Sequence, residues 1–443
     1  MSFTQEFTPE ELAEAAVEAG IRGARLRSVP TGAAAGGAGN WREQLIYVDA
    51  KGKAPRLAKH PANVTCILKH HPDWEGRIYY DEHAHRVMVS TPPWHDLDAG
   101  TESDEDREWT DADDTRLSSW LLRAEQFEVP ALLCAAAVRI AAEANPRHPF
   151  REYLSSLAWD GVDRLDAWLV DYMGVSPSEY TSSVGKWWLI SAVARTFRPG
   201  CKADCVLILE GPQGSRKSTA LRTLAGDRWF SDTPIVIGSK DAYMALQGKA
   251  IIELAELDSM KRSDHDHAKA FFSKQYDDFR PPYGRREVRL MRACVFAGTV
   301  NHGAYLTDET GNRRYLPVTC GTIDLEALSR ARDQLWAEAV ARFHAGERWW
   351  PETDEERAEA AEEQGQRLES EPWAEPIAAW CALRTGDITT NEVLTGSSIK
   401  LDVAKIGRAE QKRAARVLKD LGYRRIQLRD PDGSRPWVYR RGP

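Results

Sequence analysis

The 443-residue sequence lacks the features that mark membrane and exported proteins. It contains no apolar run near the roughly 20 residues that a membrane helix requires. Its first residues, MSFTQEFTPEELAE, have neither the basic start nor the apolar middle of a signal peptide. Its seven cysteines are scattered, and no second ligand pair has the spacing of a zinc site. These absences predict a cytoplasmic protein with reduced thiols and no membrane partner.

The sequence also lacks an overall basic charge, since its net charge is -8. The charge is uneven, however: acidic residues collect at 96–114 and 352–371, whereas residues 400–443 hold 13 Lys and Arg against 5 Asp and Glu. The local charge of a surface, more than the net charge of the chain, determines whether the surface attracts phosphates. Residues 400–443 are therefore a candidate nucleic-acid surface. Asp96 and Asp98 lie in a solvated acidic run without a flanking strand, which argues against a primase-type metal pair.

One stretch carries a phosphate-binding pattern: the apolar run VLIL at 206–209, then GPQGSRKST, then a helical repeat. Strand, loop and helix N-terminus together direct backbone N–H groups at a phosphate. In this pattern the lysine reaches the β- and γ-phosphates of ATP and the following serine holds Mg²⁺. The predicted nucleotide ligands are Gly211, Pro212, Gln213, Gly214, Ser215, Arg216, Lys217, Ser218 and Thr219.

Arg216 departs from the pattern, which has glycine before the lysine. Glycine lets the backbone approach a phosphate in conformations that arginine disfavours. Taken alone, the stretch is therefore open to a second interpretation, a strand–turn–helix without a ligand.

An ATPase also needs acidic residues on a neighbouring strand, and the segment IIELAELD supplies them. We assign Glu253 to the metal and Glu256 to the attacking water, although alternation alone allows the two to be exchanged. Asn301 follows another apolar run, AGTV, and is a candidate for orienting the water or contacting the γ-phosphate. Solvated acids at a strand edge are the alternative interpretation.

Two basic features follow the acidic strand. Arg313 and Arg314 follow a glycine turn and are candidates for an arginine finger that enters a neighbouring subunit's site, or for surface ion pairs. The segment 274–292 interleaves basic and aromatic residues, which suits DNA phosphates and bases, or else a basic subunit interface. Its candidate DNA contacts are Lys274, Arg280, Tyr283, Arg285, Arg286 and Arg289.

The pattern of the whole chain predicts an α/β protein in five parts. Residues 1–113 form an accessory α/β module with glycine-rich and acidic loops, and residues 114–200 form a helical domain. Residues 201–350 form the phosphate-loop core, and residues 351–372 an acidic helical linker. Residues 373–443 read as helix, helix and hairpin with basic surfaces, the outline of a winged helix.

Several ordered motifs resemble the virulence-associated protein E family, over about residues 150–351: WDGVDRLDAWL, GPQGSRKST, IIELAELDSM, FRPPYGRR, CVFAGTVN and NRRYLPV. These are phage- and island-encoded ATPases related to superfamily 3 helicases and D5-type primase-helicases. The resemblance implies an AAA+-like ATPase core with Lys217 and Ser218 on ATP and Mg²⁺, Glu253 and Glu256 as the acidic motif, and Asn301 as sensor. It further implies Arg313 or Arg314 as the finger across a hexameric ring, and pore loops on DNA from 274–292.

The resulting hypothesis is an ATP-dependent DNA helicase or translocase in the replication of a phage or an integrated element. One alternative is an ATP-binding DNA initiator or nucleotide switch that does not unwind. The other is a defence or signalling ATPase that does not bind DNA.

Overall fold

The computed structural model describes residues 41–50, 53–94, 106–255, 268–280, 286–301, 305–306, 312–368, 371–429 and 437–442. Residues 1–40, residues 95–105, which contain the start of the acidic run at 96–114, and residues 430–436 of the predicted hairpin lie outside these residues. So do three predicted site residues: Glu256, Tyr283 and Arg285.

Residues 41–147 build a small α/β unit. Its elements are β1 (Tyr47–Ala50), β2 (Lys53–Leu57), α1 (Pro61–His70), β3 (Ile78–Asp81), β4 (Arg86–Val89), β5 (Arg107–Glu108), α2 (Asp111–Ala124), α3 (Ala131–Glu143) and β6 (Pro146–Arg147). The strands β1 and β2 pair with each other, and the others form a sheet in the order β5-β4-β3-β6. Trp74 is fully buried against Trp94 and Trp109, so these rings form the core of the unit.

Three helices, α4 (Pro149–Ser156), α5 (Trp168–Met173) and α6 (Glu179–Phe197), lead into the central sheet. Helix α6 begins at Ser178, whose side chain accepts a hydrogen bond from the Thr181 N–H. Fourteen of the 19 residues of α6 are buried, because the helix lies between the sheet and other helices. Trp188 donates from Nε1 to the Phe296 carbonyl at 2.9 Å, so this buried ring ties the helix to the sheet.

A five-stranded parallel sheet lies at the centre of the chain, in the order β13-β7-β12-β9-β8. Its strands and the elements between and after them are β7 (Val206–Glu210), α7 (Lys217–Ala225), β8 (Phe230–Ser231), α8 (Lys240–Ala245), β9 (Ile251–Ala255), β10 (Tyr276–Phe279), β11 (Val288–Met291), β12 (Val295–Val300), β13 (Tyr315–Thr319), α9 (Leu325–His344) and α10 (Asp354–Gly365). Strands β7 and β12 are buried along their whole length, as their apolar runs predict for a parallel sheet. This arrangement confirms the predicted α/β class.

The last described part contains α11 (Ala374–Ala382), α12 (Thr390–Gly396), α13 (Arg408–Asp420), β14 (Tyr423–Gln427) and β15 (Trp437–Arg441). Strands β14 and β15 pair antiparallel, and helices α11 to α13 pack around Ile377, Val393 and Leu418. The order helix, helix, strand pair agrees with the sequence pattern, and α11 is an additional helix that the pattern did not indicate. Within the described ranges, no helix is both long and apolar enough to cross a membrane.

The amino-terminal unit contacts the central sheet through the turn between β3 and β4. The His83 ring donates from Nε2 to the Lys249 carbonyl at 3.1 Å, and the His83 carbonyl accepts from the Gly248 N–H at 2.9 Å. Gly248 has φ +71°, and a Cβ there would meet Ala84 Cβ at 2.9 Å, so glycine is required at this approach. This contact lies just before β9, the strand that carries Glu253.

Acid is expected to loosen this contact. The His83 and His148 rings stack with centroids 4.9 Å apart, and burial, reinforced for His83 by His148, lowers their pKa values to about 3 and about 4. Unfolding restores a pKa near 6.5, so the unfolded chain binds more protons below that pH. The two neutral histidines therefore make their full contribution to the stability of the fold above about pH 6.5, and this contribution is lost as the pH falls toward 4.

Thermal unfolding between pH 7.5 and 4.5 measures this effect. A variant with His83→Gln and His148→Asn keeps polar side chains at both positions, so its Tm should fall less steeply than that of the parent chain. His60→Asn is the matched control, because His60 also caps a helix but is exposed. Parallel pH profiles for the double variant and the parent would contradict the assignment to these two rings.

Candidate active site

The loop between β7 and α7 is the predicted phosphate loop. Strand β7 ends at Glu210 and α7 begins at Lys217, so residues 211–216 turn between a buried strand and a helix N-terminus. Gly214 has φ +80°, a backbone conformation that glycine adopts without strain. The Gly211 N–H donates to the Val300 carbonyl at 3.2 Å, so the loop starts beside the end of β12.

Arg216 is the N-cap of α7 and has φ +67°, in the left-handed region. That conformation costs a residue with a side chain roughly 1 kcal/mol, which explains the preference of the pattern for glycine here. The Arg216 side chain is exposed. The loop therefore has the backbone path that glycine would take, with a cation added at its rim.

Lys217 is buried within the loop. Its Nζ donates to the carbonyls of Gly211 at 2.7 Å and Pro212 at 3.0 Å, and to Ser215 Oγ at 3.2 Å. The ammonium is thus held on the inner side of the turn, while Gln213, Ser218 and Thr219 are exposed around it.

Glu253 joins the acidic strand to the phosphate loop. Its Oε1 accepts from Ser218 Oγ at 2.6 Å and from Thr299 Oγ1 at 2.7 Å. Its Oε2 is buried and has no hydrogen-bond partner in the part of the chain that the structure describes. A buried carboxylate oxygen without a partner is unusual and marks a position for a ligand. Hard oxygen donors from Glu253 and Ser218 fit the requirements of Mg²⁺.

The sheet explains why these groups meet. Strand β12 lies between β7 and β9, and Ala297 is in register with Glu253. Thr299 is two residues further along β12, so its side chain is on the same face as that of Ala297. Glu253 lies in the middle of β9 and is only 2% exposed. Its carboxylate reaches the site through the face of the sheet on which α7 packs.

Asn301 directly follows β12 and is exposed at the carboxyl end of the sheet. The start of the phosphate loop contacts the same end of β12 through Val300. Asn301 is therefore on the rim where a phosphate-loop ligand would sit. The assignment of the attacking water to Glu256 stays a prediction, because only Glu253 lies in the described residues.

Arg313 and Arg314 lie at the opposite end of the sheet. They precede β13, which runs parallel to β7 with Tyr315 beside Val206. A five-residue strand spans about 16 Å, so neither arginine is near the phosphate loop of its own chain. Arg314 donates to Ser273 Oγ at 2.7 Å and lies 3.5 Å from an Asp204 oxygen, whereas the Arg313 side chain is exposed. Of the two, Arg313 has the geometry of a group that acts on another molecule.

The basic segment forms an antiparallel pair, β10 and β11, where the sequence indicated a loop. Arg289 makes two hydrogen bonds to Asp278, at 2.8 and 2.9 Å, and lies over the Tyr276 ring. Lys274 Nζ donates to Tyr243 Oη at 2.7 Å. These two cations are already engaged within the chain, while the side chains of Arg280 and Arg286 near the tip are exposed.

A hydrogen-bonded cluster around Glu210 lies beside the site and was not predicted from the sequence. The buried carboxylate of Glu210, directly before the phosphate loop, accepts from Tyr305 Oη, Thr319 Oγ1 and two nitrogens of Arg367, all at 2.8 to 2.9 Å. Burial alone would raise the pKa of Glu210, but the donors, Arg367 first, lower it below its usual value. Arg367 comes from the end of α10, 157 residues along the chain. The cluster fixes the base of the loop.

Replacing Arg367 with methionine is expected to destabilise the fold by about 3 kcal/mol, because a buried carboxylate loses its counter-charge. The change is measured by urea unfolding followed through tryptophan fluorescence. Adding Glu210→Gln to that variant should recover part of the loss, since the unpaired charge is then removed.

Arg330→Met is the matched control for this experiment. Arg330 pairs with Glu326 on the surface, with side chains 67% and 83% exposed, so its loss should cost less than about 0.5 kcal/mol. An Arg367→Met chain as stable as the Arg330→Met chain would show that the Glu210 cluster does not hold the loop.

Comparison with known proteins identifies a family for part of the chain. The family model for the virulence-associated protein E-like domain matches residues 154–369. No curated protein matches the chain. The chain is similar to the apo structure of the NrS-1 C-terminal region, with 11% identity, a TM-score of 0.44, and coverage of 82% of this chain and 96% of that one. For a second apo form the values are 12%, 0.45, 87% and 100%.

The matched residues run from α4 to just past Arg367, so they include the phosphate loop, Glu253, Thr299 and the Glu210 cluster. The family predicted from the ordered motifs is thereby confirmed. Residues 154–369 of the chain are therefore assigned to the virulence-associated protein E-like domain family.

Proposed function

We propose that the chain is an ATP-dependent DNA helicase or translocase with an AAA+-like core, working as a hexameric ring in the replication of a phage or an integrated element. One observation carries the proposal: Ser218 and Thr299 converge on one oxygen of Glu253 beside the phosphate loop, and the other oxygen is buried without a partner among the described residues. A strand–turn–helix without a ligand gives no reason for such a carboxylate.

Each loop residue has a role in this proposal. Backbone N–H groups of the loop and of the first turn of α7 would contact the phosphates, except at Pro212, which has none, and at Gly211 and Ser215, which donate within the chain. Lys217 would move its ammonium from the loop carbonyls to the β- and γ-phosphate oxygens. Ser218 and Glu253 would hold Mg²⁺, which would neutralise charge that develops on the phosphates. Thr299 keeps the Glu253 carboxylate oriented through its 2.7 Å hydrogen bond.

Hydrolysis further requires a positioned water and a cation near the γ-phosphate. We assign the water to Glu256 and Asn301. We assign the cation to Arg313 of an adjacent copy, since Arg313 is exposed and lies a strand length away from its own loop. This assignment is the structural argument for a ring: each copy would carry the loop at one end of its sheet and the finger at the other.

DNA contact is assigned to two basic surfaces. The first is the tip of the β10–β11 pair, with Arg280 and Arg286, which would face the ring pore. The second is the carboxy-terminal part, which we propose to be a winged helix: Arg408, Lys412 and Lys419 are exposed on α13, and Arg424 on β14. Phosphates are the expected partners of such surfaces. The proposal includes a cytoplasmic location, supported by seven free cysteines.

The left-handed Arg216 favours one alternative, an ATP-binding initiator or switch that does not unwind. A strained residue with a bulky side chain at the loop rim could slow turnover while binding persists. The third possibility, a defence or signalling ATPase, predicts no salt-sensitive DNA binding.

A strand-displacement assay with ATP and Mg²⁺ on a forked DNA distinguishes these functions. Unwinding by the parent chain and none by the Lys217→Ala chain supports the helicase. Assembly on DNA that depends on ATP but yields no displaced strand supports the switch. Absence of salt-sensitive DNA binding would contradict both and leave the third possibility.

A further inference from the structure

A cavity of about 640 Å³ opens at the end of the sheet opposite the phosphate loop. Residues just before β7 and β13 line it together with the start and the middle of α10 and the loop after α9. Its volume is within the range of small-molecule sites. Strand β7 separates it from the phosphate loop by about 16 Å, so the two cannot hold the same molecule within one chain.

The cavity is strongly cationic. Four basic side chains line it, Lys202, Arg313, Arg314 and Arg357, while Asp204 is the single acidic residue among the described lining residues. Asp204 lies 3.5 Å from Arg314 and offsets that charge. Among the ion pairs that the structure describes, Arg357 pairs with Asp354, whose side chain is 93% exposed and therefore neutralises little of the arginine's charge. Lys202 and Arg313 are exposed. Most of the positive charge is thus available to an anion.

The wall of the cavity is aromatic and held rigidly. Trp349 donates from Nε1 to the Lys202 carbonyl at 2.9 Å and packs near Phe343 of the core. Trp350 meets Trp349 edge to face, with centroids 5.1 Å apart, and stays 43% exposed. The exposed Trp350 indole, supported at its edge by Trp349 and near cations of the same cavity, suits a ligand that combines an aromatic ring with phosphate.

We propose that this cavity binds a nucleoside triphosphate, with Trp350 stacking on the base and Lys202 and Arg313 contacting the phosphates. The identity of the ligand rests on the proposed function. The nucleotide can reach the cavity from two sources, as free ATP or as the ATP held in the phosphate loop of a second copy. In the second case the cavity completes a site between copies and adds Trp350 and Lys202 to the proposed finger.

Equilibrium dialysis with radiolabelled ATP and Mg²⁺ tests the first source, using the full chain with Lys217→Ala to silence the phosphate loop. One bound ATP per chain is expected. Trp350→Ala should then weaken binding about tenfold and Lys202→Ala severalfold, while Trp350→Phe keeps the affinity. Trp437→Ala is the matched control, because Trp437 is 48% exposed but lies on β15. The melting temperature of each variant checks folding.

Mixing tests the second source. A Lys217→Ala chain has an intact cavity and a Trp350→Ala chain has an intact loop, so hydrolysis regained on mixing would assign the cavity to the nucleotide of another copy. Either positive result supports the proposal. The proposal is overturned if the Trp350→Ala variant behaves like its parent chain in both experiments. It is also overturned if unlabelled tripolyphosphate or a thymidine oligonucleotide competes with bound ATP as effectively as unlabelled ATP does. Equilibrium dialysis measures ATP binding and does not require hydrolysis. A parent chain that hydrolyses no ATP would therefore refute the proposed function, while ATP binding to the cavity could still be measured.

Discussion

Replacing Glu253 with glutamine is expected to reduce ATP hydrolysis by at least about a hundredfold while ATP binding persists. Glutamine keeps an acceptor for the Ser218 and Thr299 hydroxyls, so the fold around the site should survive. What is lost is the negative charge at the buried oxygen for which the described part of the chain supplies no partner. Steady-state phosphate release gives the rate, and equilibrium dialysis with a non-hydrolysable ATP analogue gives the affinity.

Glu326→Gln is the matched control for this variant, since Glu326 is 83% exposed on α9 and pairs only with Arg330 among the ion pairs that the structure describes. Its hydrolysis rate should equal that of the parent chain. A Glu253→Gln chain that hydrolyses ATP at the parent rate would remove Glu253 from the site and transfer the metal to another carboxylate, with Glu256 the first candidate.

Replacing Arg313 with alanine is expected to reduce hydrolysis by about a thousandfold, the scale of a lost arginine finger. The loss should be reversed in part by adding a Lys217→Ala chain, which is inactive alone but supplies an intact Arg313 to its neighbour. Such complementation requires that loop and finger come from different copies, as their positions at opposite ends of β7 and β13 imply.

The comparison variant is Arg314→Ala. Arg314 contacts Ser273 and Asp204 of its own chain. Its loss should therefore lower the melting temperature and have little effect on the hydrolysis rate per folded chain. If Arg314→Ala abolishes hydrolysis without destabilisation and Arg313→Ala does not, the two arginines exchange roles. If neither affects the rate, the finger lies elsewhere.

The sequence was sufficient to predict the parts of the site that depend on local pattern. The apolar run before Gly211 and the serine after Lys217 identify strand, loop and helix, and the apolar run around Glu253 identifies the acidic strand. Thr299 could have been added, because it lies two residues before Asn301 and side chains alternate along a strand. Its contact with Glu253 still depended on the strand order.

Other features depend on contacts between distant parts of the chain, which carry no local signal. Glu210 looks like one more residue of an apolar strand, and its partner Arg367 lies just after an acidic helix, 157 residues later. Arg289 looks free in the sequence, yet the pairing of β10 with β11 places it against Asp278. No sequence motif marks the tryptophan pair at 349–350, and only the fold shows that Trp350 lines a cationic cavity.

The most direct test of the central claim is ATP hydrolysis by the parent chain and the Lys217→Ala chain, with DNA binding measured in the same samples. Lys217 is buried among three oxygens of the loop, and its ammonium is the group assigned to the phosphates. The proposal predicts Mg²⁺-dependent hydrolysis that DNA stimulates in the parent chain, none in the Lys217→Ala chain, and equal DNA binding by both. Full hydrolysis by the Lys217→Ala chain would contradict it.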